Sequence, residues 1–233
     1  MIQVENLTVR YIPSGPVAAL RELSFRVSAG ERVALLGANG AGKSTLLLSL
    51  VGVLPAASGS LHIDGTGVEK KTLGEIRQKA GMVFQNPDDQ LFMPSVYEDI
   101  AFGPRNYGIA EPLIQEHAHS ILESLGISHL MNRMSAKLSG GEKRLAALAG
   151  VLVMNPLVLL LDEPGSFLDP RSRRRLIGIL HGLPQTQLIA THDLDLARKI
   201  CGRVILLKNG RLAADGETSR ILQDTALLED CGL

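Results

Sequence analysis

The sequence Gly37-Ala38-Asn39-Gly40-Ala41-Gly42-Lys43-Ser44-Thr45 sets the architecture expected for this chain of 233 residues. It fits the pattern G-x-x-x-x-G-K-[ST], in which backbone N–H groups of a glycine-rich loop cradle phosphates, a lysine reaches the terminal phosphates and a hydroxyl binds Mg²⁺. An apolar, strand-like run at 31–36 enters the glycines, and residues 43–51 predict a helix that leaves them. This order directs the positive end of the helix dipole toward the phosphates. The stretch therefore predicts a site for a phosphate-rich nucleotide.

Two stretches on the N-terminal side of this loop partly alternate apolar with polar residues. Residues 2–10 and 20–27 show the alternation, which is typical of half-buried strands. Pro13-Ser14-Gly15-Pro16 between them predicts a turn, and residues 60–65 predict another short strand that runs into a turn. We therefore expect an N-terminal antiparallel β subdomain beside the nucleotide-binding core.

The pattern on the C-terminal side changes from helical to strand-like. After a short strand candidate at 81–84, apolar residues recur at steps of three and four between 95 and 154, which predicts helices. Examples are Ile114, Ala118, Ile121, Leu122 and Leu125. Three apolar strand runs then follow, at 157–161, 187–190 and 203–207. Separated by helical segments, they indicate a parallel sheet covered on both faces. The chain is thus predicted to be one α/β domain, 1–233, with a helical subdomain inserted roughly at 87–155.

Charge and hydropathy argue against nucleic-acid binding, a signal peptide and a membrane-spanning helix. The 24 basic and 24 acidic residues cancel, so the chain lacks the basic field that drives nucleic-acid binding, and nucleic acid is not an expected partner. Residues 1–6 lack the basic start and apolar stretch of a signal peptide. Apolar runs such as 46–54 fall short of the ~20 residues that a membrane helix needs. We therefore expect other chains to supply any membrane part.

Two further motifs follow the loop in a fixed order. Leu138-Ser139-Gly140-Gly141 comes first, and Leu159-Leu160-Leu161-Asp162-Glu163-Pro164 comes second. With these motifs the chain resembles the ATP-binding subunit of an ABC transporter over nearly its whole length. The resemblance implies a P-loop NTPase core of RecA-like type, ATP and Mg²⁺ as ligands, and a head-to-tail dimer in which the Ser-Gly-Gly segment of one subunit caps the nucleotide of the other. Small residues allow backbone N–H groups to approach a phosphate, and a helix that starts just after them favours an anion.

The resemblance also implies roles for individual residues. Asp162 ends a buried strand, where a carboxylate suits Mg²⁺, and Glu163 corresponds to the general base that polarises the attacking water, although such a pair can also cap a helix. The implied catalytic residues are Glu163, His192 and Gln85. The implied Mg²⁺ ligands are Ser44, Gln85 and Asp162. The implied nucleotide-binding residues are Tyr11, Gly37, Asn39, Gly40, Ala41, Gly42, Lys43, Ser44, Thr45, Ser139, Gly140 and Gly141. Tyr11 would stack on adenine; its alternative is an ordinary exposed tyrosine in a turn.

Two local sequences narrow the type of transporter. Residues 83–92 (Val-Phe-Gln-Asn-Pro-Asp-Asp-Gln-Leu-Phe) and 149–152 (Ala-Gly-Val-Leu) resemble the ATPase subunits of energy-coupling-factor importers. The end of the chain, 227–233, resembles the type dedicated to cobalt or nickel, with biotin or another vitamin as the alternative cargo. The implied partners are a second copy or a paralogous ATPase, a transmembrane scaffold subunit and a substrate-binding membrane subunit, at the cytoplasmic face of the cell membrane. A coupling helix is expected to dock on 86–92.

Two positions depart from the family pattern, and two other classes of protein stay open. A basic residue usually stands where this chain has Leu145, with Arg144 one step earlier, and the loop at 165–169 reads Gly-Ser-Phe-Leu-Asp instead of smaller residues. A soluble ABC protein could use the same cycle as a mechanical clamp, although such proteins usually carry a second cassette or long insertions. A P-loop kinase for small molecules would have no use for the Leu-Ser-Gly-Gly segment.

Overall fold

The computed structural model describes residues 1–12, 15 and 17–233, so the turn predicted at 13–16 lies, apart from Gly15, outside the described residues. The chain divides into two compact units. The first comprises 1–82, 157–163 and 184–233, and the second comprises 83–156 and 164–183. The boundaries predicted for the helical insertion, 87–155, stay a prediction.

The elements follow one another in an order that mixes strands and helices. The strands are β1 (Ile2–Val9), β2 (Leu20–Val27), β3 (Arg32–Leu36), β4 (Ala56–Ile63), β5 (Thr66–Gly67), β6 (Ala80–Val83), β7 (Val158–Asp162), β8 (Thr186–Thr191), β9 (Arg203–Lys208) and β10 (Arg211–Glu217). The helices are α1 (Lys43–Leu50), α2 (Leu73–Lys79), α3 (Val96–Asn106), α4 (Glu111–Ser124), α5 (Gly140–Leu152), α6 (Pro170–Gly182), α7 (Leu194–Ile200), α8 (Thr218–Ile221) and α9 (Thr225–Asp230). All the predicted strands and the predicted helix after the glycines are therefore confirmed.

A four-stranded sheet in the order β2-β1-β4-β5 forms the N-terminal part of the first unit. Its strands pair antiparallel, as the alternating pattern predicts. Alternate residues of β1, among them Ile2 and Val4, are buried, and Gln3 between them is only half-buried. The predicted antiparallel β subdomain is confirmed.

A six-stranded sheet in the order β10-β9-β3-β8-β7-β6 carries the glycine-rich loop. Strand β3 lies parallel to both β8 and β9, and β7 lies parallel to β8. In this register Leu36 pairs with Thr191, and Asp162 pairs with Ala190. Because parallel strands end at the same edge, the residues that follow β3, β7 and β8 lie together there.

Strand β10 was not predicted from the sequence. It pairs antiparallel with β9 at the edge of the sheet. Most of its residues are exposed, because an edge strand with little buried surface needs no apolar face. The sequence of β10 consequently lacks the apolar run that marks the inner strands.

The buried core of the first unit includes residues from both sheets and from α1. One face of the six-stranded sheet, including Val33, Leu35 and Leu160, belongs to the same buried cluster as Leu46 and Leu50 of α1. The other face, with residues such as Ala34, Leu36 and Ile189, is also buried. A strand buried on both faces reads as a continuous apolar run, which is why the sequence reveals the inner strands clearly.

The second unit contains the helices α3, α4, α5 and α6. Ile114, Ala118 and Leu122 line the buried side of α4, as their spacing predicts. Side chains cap three of these helices at the N-terminus: Ser95 for α3, Ser139 for α5 and Asp169 for α6. The predicted helical stretch is confirmed as a set of packed helices.

Candidate nucleotide site

The glycine-rich loop follows β3 and bends sharply. Gly37 has a φ of 153°, and a Cβ atom added there would lie 2.6 Å from the carbonyl oxygen of Leu207 and 2.9 Å from the Cβ of Ala41. Only glycine fits so close to a neighbouring strand. At the far end of the loop Gly42, the N-cap of α1, has a φ of 107°. These two glycines shape the cradle that the sequence pattern predicts.

Helix α1 directs its N-terminus toward this loop. Its N-cap is Gly42, and within the described part of the chain no side chain caps the helix. The first N–H groups of a helix have no partner inside the helix, so those of α1 are suited to an anion. The side chain of Ser44 in the first turn is exposed, and Thr45 next to it is buried. The N-terminal end of α1 therefore combines donors with an accessible hydroxyl.

Lys43 is a buried cation at the base of the loop. Its Nζ donates hydrogen bonds to the carbonyl oxygens of Gly37 (2.6 Å) and Ala38 (3.2 Å), and it lies 3.7 Å from Oε1 of Glu163. Burial lowers the pKa of Lys43, whereas the nearby carboxylates of Glu163 and Asp162 raise it. A lysine in a phosphate-binding loop neutralises the terminal phosphates. In this structure the ammonium group of Lys43 already has an acidic partner, Glu163.

Glu163 follows β7 directly and is held in a constrained position. Its backbone has a φ of 44°, in the left-handed region, and its N–H donates to the carbonyl oxygen of Ala190 at 2.8 Å. Its side chain is buried, with Oε1 2.8 Å from Nδ1 of His192 and Oε2 2.9 Å from Oγ1 of Thr191. A backbone of this kind costs about 1–3 kcal/mol and persists where the surroundings fix it. The structure thus brings Lys43, Glu163 and His192 into one cluster.

Ser44 and Asp162 offer the oxygen atoms that Mg²⁺ prefers. Asp162 is the last residue of β7, is buried, and lies near enough to Lys43 to raise its pKa. Mg²⁺ takes carboxylate and hydroxyl oxygens together with phosphate oxygens, so this donor set fits the ion. Among the described residues no group of three or more His, Cys, Asp and Glu side chains could hold a metal by itself.

Tyr11 contacts the same end of α1. Its hydroxyl lies 2.8 Å from Oγ1 of Thr45, while the residue as a whole is 63% exposed. An exposed ring that is fixed at its hydroxyl end can present a flat face to a base. This contact distinguishes Tyr11 from an unanchored tyrosine in a turn.

Ser139, Gly140 and Gly141 begin α5 in the second unit. Oγ of Ser139 accepts a hydrogen bond from the backbone N–H of Glu142, and the carboxylate of Glu142 accepts one from the N–H of Ser139, which forms a capping box. The bond from the backbone of Ser139 is the largest factor that lowers the pKa of Glu142. A Cβ atom on Gly141 would lie 2.7 Å from Oγ of Ser172, so a larger residue there would require the side chain of Ser172 to shift. The predicted helix is present, but it begins at Gly140 and includes both glycines, because the side chain of Ser139 caps it one residue earlier.

Helix α5 is fastened to the segment 84–90, which contains Gln85. The guanidinium of Arg144 donates to the carbonyl oxygens of Phe84 and Gln85, both at 2.7 Å. The side chain of Gln90 accepts from the N–H of Phe84 and donates to the carbonyl oxygen of Ala147 at 2.8 Å. Arg144 is 2% exposed, so these charge-assisted bonds are shielded from water.

At the position that departs from the family pattern, an apolar side chain is buried next to a bonded arginine. Leu145 is buried in the second unit, and the basic residue one step earlier, Arg144, makes the two bonds to the segment 84–90.

A cavity of about 360 Å³ lies against the contact between α5 and this segment. Its walls include Gln85, Asp88, Leu138, Lys143, Arg144 and Phe167. Phe167 itself is 93% exposed and has a φ of 61°.

The predicted site residues thus fall into two groups. The first unit holds Tyr11, Gly37, Asn39, Gly40, Ala41, Gly42, Lys43, Ser44, Thr45, Asp162, Glu163 and His192. The second unit holds Gln85, Ser139, Gly140 and Gly141. Sequence reasoning missed Thr191 and the contacts of Arg144. The position of Thr191 next to His192 at the end of an apolar strand was the available signal.

The loop, the helix behind it and the acidic strand end define the first unit as a P-loop nucleotide-binding core. The model of the ABC transporter family matches residues 20–166, more than half of the chain. The chain belongs to this family, and it is the ATPase subunit of an ABC transporter. Within the described residues, no helix has the length and hydropathy needed to cross a bilayer.

Similar proteins extend this assignment over the whole chain. The energy-coupling factor transporter ATP-binding protein EcfA of Methanothermobacter thermautotrophicus is 44% identical over 238 residues, covering 100% of this chain and 76% of that protein. The structure of cbiO1 from Clostridium perfringens, described as part of the ABC transporter complex cbiONQ, matches with a TM-score of 0.86 and 36% identity, covering 98% and 93% of the two chains. The dimeric ATP-binding cassette MJ0796 bound to ADP and Pi matches with a TM-score of 0.81 and 25% identity, covering 94% and 99%. The predicted fold is confirmed.

Proposed function

We propose that this chain is the ATPase subunit of an energy-coupling-factor importer for cobalt or nickel ions, working at the cytoplasmic face of the cell membrane. The observation that carries the proposal is the 44% identity to EcfA across the entire chain. The likeness to cbiO1, part of the complex cbiONQ, and the sequence at 83–92 support the same type of transporter. Cobalt or nickel is preferred to biotin because the end of the chain resembles the dedicated metal importers.

Hydrolysis uses the residues clustered at the edge of the sheet. Lys43 neutralises the β- and γ-phosphates, and the N–H groups at the start of α1 bind the phosphate oxygens. Ser44 and Asp162 would hold Mg²⁺, which supplies further neutralisation of phosphate charge. Glu163 accepts a proton from the attacking water, and His192 lies beside the same carboxylate. Because phosphoryl transfer leaves little covalent work to the protein, position and charge supply the rate enhancement.

Each nucleotide is capped by the other subunit of a head-to-tail homodimer, or by a paralogous ATPase. Ser139, Gly140 and Gly141 form this cap, since they present small residues at the N-terminus of α5. The dimeric form of the MJ0796 cassette, which is 25% identical, supports an assembly of two subunits. Closure over ATP and reopening after hydrolysis would drive transport.

The motion reaches the membrane through Gln85 and the segment after it. Arg144 and Gln90 fasten this segment to α5, which begins at the cap, so a displacement of one pulls on the other. The last residue of the docking segment 86–92, Phe92, forms an exposed aromatic pair with Phe102 of α3, with ring centroids 5.1 Å apart. The two residues are exposed, at 62% and 44%. An apolar surface of this kind suits a coupling helix of a transmembrane scaffold subunit, which would work with a substrate-binding membrane subunit.

A mixed dimer tests the trans arrangement. One chain carries Ser139→Arg and the other carries Lys43→Ala, with different affinity tags so that the heterodimer can be isolated. If cap and P-loop act in trans, both lesions fall at one site and the other site stays intact. We expect both homodimers to be inactive and the heterodimer to retain a substantial part of the wild-type turnover. Complete loss in the heterodimer would contradict this arrangement.

Co-expression with candidate membrane subunits tests the partner and the cargo. We expect the chain to co-purify in detergent with a scaffold subunit and to support ⁵⁷Co²⁺ or ⁶³Ni²⁺ uptake in cells. A double substitution, Phe92→Ser with Phe102→Ser, should weaken co-purification, whereas exposed Leu212→Ser in the first unit serves as the control. Biotin uptake without metal uptake would keep the mechanism and reject the cargo. Failure to co-purify with any membrane subunit would favour a clamp that acts without one.

A further inference from the structure

We infer that Thr191 is the positioning residue for Glu163, and that its hydroxyl fixes which carboxylate oxygen faces the attacking water. The inference rests on the proposed function, because it assumes that Glu163 is the general base. Thr191 is the last residue of β8 and is 1% exposed. It pairs with Leu36, the last residue of the strand that enters the P-loop. Its side chain therefore lies at the edge of the sheet where the site is built.

The direction of the hydrogen bond follows from the partners of the hydroxyl. The backbone N–H of Asp193 can only donate a hydrogen bond. Its nitrogen lies 3.0 Å from Oγ1 of Thr191, so the hydroxyl oxygen accepts this bond. A hydroxyl has a single proton, and it is left for Oε2 of Glu163 at 2.9 Å. The turn into α7 thus orients the hydroxyl, and the hydroxyl in turn orients the carboxylate.

The two oxygens of Glu163 consequently have different surroundings. Oε2 accepts the bond from Thr191, while Oε1 faces Nδ1 of His192 at 2.8 Å and Nζ of Lys43 at 3.7 Å. The side that faces the phosphate-binding lysine is the side of Oε1. Thr191 holds Oε2, and Oε1, on the side of Lys43, is the oxygen that accepts the proton from water. Catalysis depends on such placement, since a displacement of about 1 Å can cost roughly a hundredfold in rate.

Threonine suits this task better than a purely apolar residue. The preceding residues of β8, Leu188, Ile189 and Ala190, are all buried and apolar, so a hydroxyl at the end of the strand is a departure from the pattern. The branched side chain restricts χ1, which keeps the hydroxyl in one direction. A buried hydroxyl is costly without partners, and this one has two.

The test compares variants of the purified 233-residue chain. Thr191→Val keeps the shape and removes the hydroxyl, and Thr191→Ser keeps the hydroxyl and removes the methyl group. The matched control is Thr186→Val at the other end of the same strand, because Thr186 is 2% exposed and also accepts a backbone bond, from Gly30 at 2.9 Å. We expect Thr191→Val to lower kcat about ten- to hundredfold with KM for ATP changed less than about threefold. Thr191→Ser and the control should keep kcat within about threefold.

A second measurement does not depend on activity. The shifts in urea midpoint caused by Thr191→Val and Glu163→Ala should not add in the double variant, because each substitution alone removes the bond between the two side chains. The shifts from Thr186→Val and Glu163→Ala should add. In the Glu163→Gln background Thr191→Val should not lower the residual turnover further. Should Thr191→Val fail to fold, Thr191→Ala compared with Thr191→Ser provides the same contrast.

The outcomes separate the inference from the function on which it rests. Wild-type kcat in Thr191→Val, or additive midpoint shifts with Glu163→Ala, would overturn the positioning role even if Glu163→Gln is inactive. If Thr191→Val lowered turnover by the same factor in the wild-type and Glu163→Gln backgrounds, the positioning role would also be overturned. Turnover retained in Glu163→Gln itself would overturn the assignment of the general base, and the inference would fall with it.

Discussion

Replacing Glu163 by glutamine should separate ATP binding from hydrolysis. Glutamine has nearly the same shape, its carbonyl oxygen can accept the bond from Thr191, and its amide can face Nδ1 of His192. The substitution removes the negative charge 3.7 Å from Nζ of Lys43 and the group that accepts the proton. The fold around the site should therefore persist while the chemistry stops.

The size of both effects can be worked out from the geometry. Loss of a general base costs about 10²–10⁴ in kcat, which corresponds to about 2.7–5.4 kcal/mol at 1.36 kcal/mol per decade. The pair between Lys43 and Glu163 has a Coulomb energy of about 4 kcal/mol at an effective dielectric constant of ~20. A bound γ-phosphate competes with Glu163 for this lysine. The cost of desolvation offsets most of this energy. We therefore expect the loss of the competing carboxylate to strengthen ATP binding by about 1 kcal/mol, so ATP should bind about fivefold more tightly to Glu163→Gln.

Two assays measure these quantities. Steady-state phosphate release gives kcat, and titration with a fluorescent ATP analogue in the presence of Mg²⁺ gives Kd. Size-exclusion chromatography with ATP separately reports the closed dimer. Glu116→Gln on the exposed surface of α4 is the control for a change in net charge. Turnover within tenfold of the wild type would refute the general-base role. Weaker binding of ATP would refute the competition for Lys43.

Three further substitutions test other parts of the structure. Lys43→Ala should raise Kd for ATP at least tenfold, because a charged hydrogen bond of about 1.5–3 kcal/mol is lost, and unchanged binding in the same titration would contradict this. Glu111→Gln removes a carboxylate whose pKa is lowered to about 2, chiefly by its hydrogen bonds from Arg105, so its contribution to stability is present above the usual value of 4.5. The variant should unfold more easily at pH 7, and the difference should vanish as the pH falls through about 2; a gap that persists in acid would refute the mechanism. Gly37→Ala should lower the urea midpoint by an amount equivalent to about 1–3 kcal/mol, whereas Gly178→Ala, where nothing lies within 4 Å of an added Cβ, should not lower it.

Much of the fold could be predicted because its signals are local. Inner strands such as β3 and β7 are buried on both faces, so they appear as continuous apolar runs. The glycines at 37 and 42 mark backbone angles that other residues avoid, and they identify the phosphate loop before any contact is known. Helix α4 shows its buried side through the spacing of Ile114, Ala118 and Leu122. Each of these signals depends on neighbours in the chain.

Other features could not be predicted, because they depend on contacts between distant residues. The edge strand β10 has no apolar run, and only its pairing with β9 defines it. The order of the strands, which brings β3 next to β8, decides that Leu36 and Thr191 end at the same edge.

The sequence by itself determined the phosphate loop, the acidic pair at 162–163 and the membership of a family, because these are short motifs with fixed spacing. Only the tertiary structure decided that Thr191 donates to Glu163 and that Arg144 holds the backbone of Gln85. Residues 163 and 191, like 85 and 144, are far apart along the chain, and no periodicity connects them. A hydrogen bond requires two atoms within about 3 Å, and the folded arrangement of the strands and helices is what sets that distance.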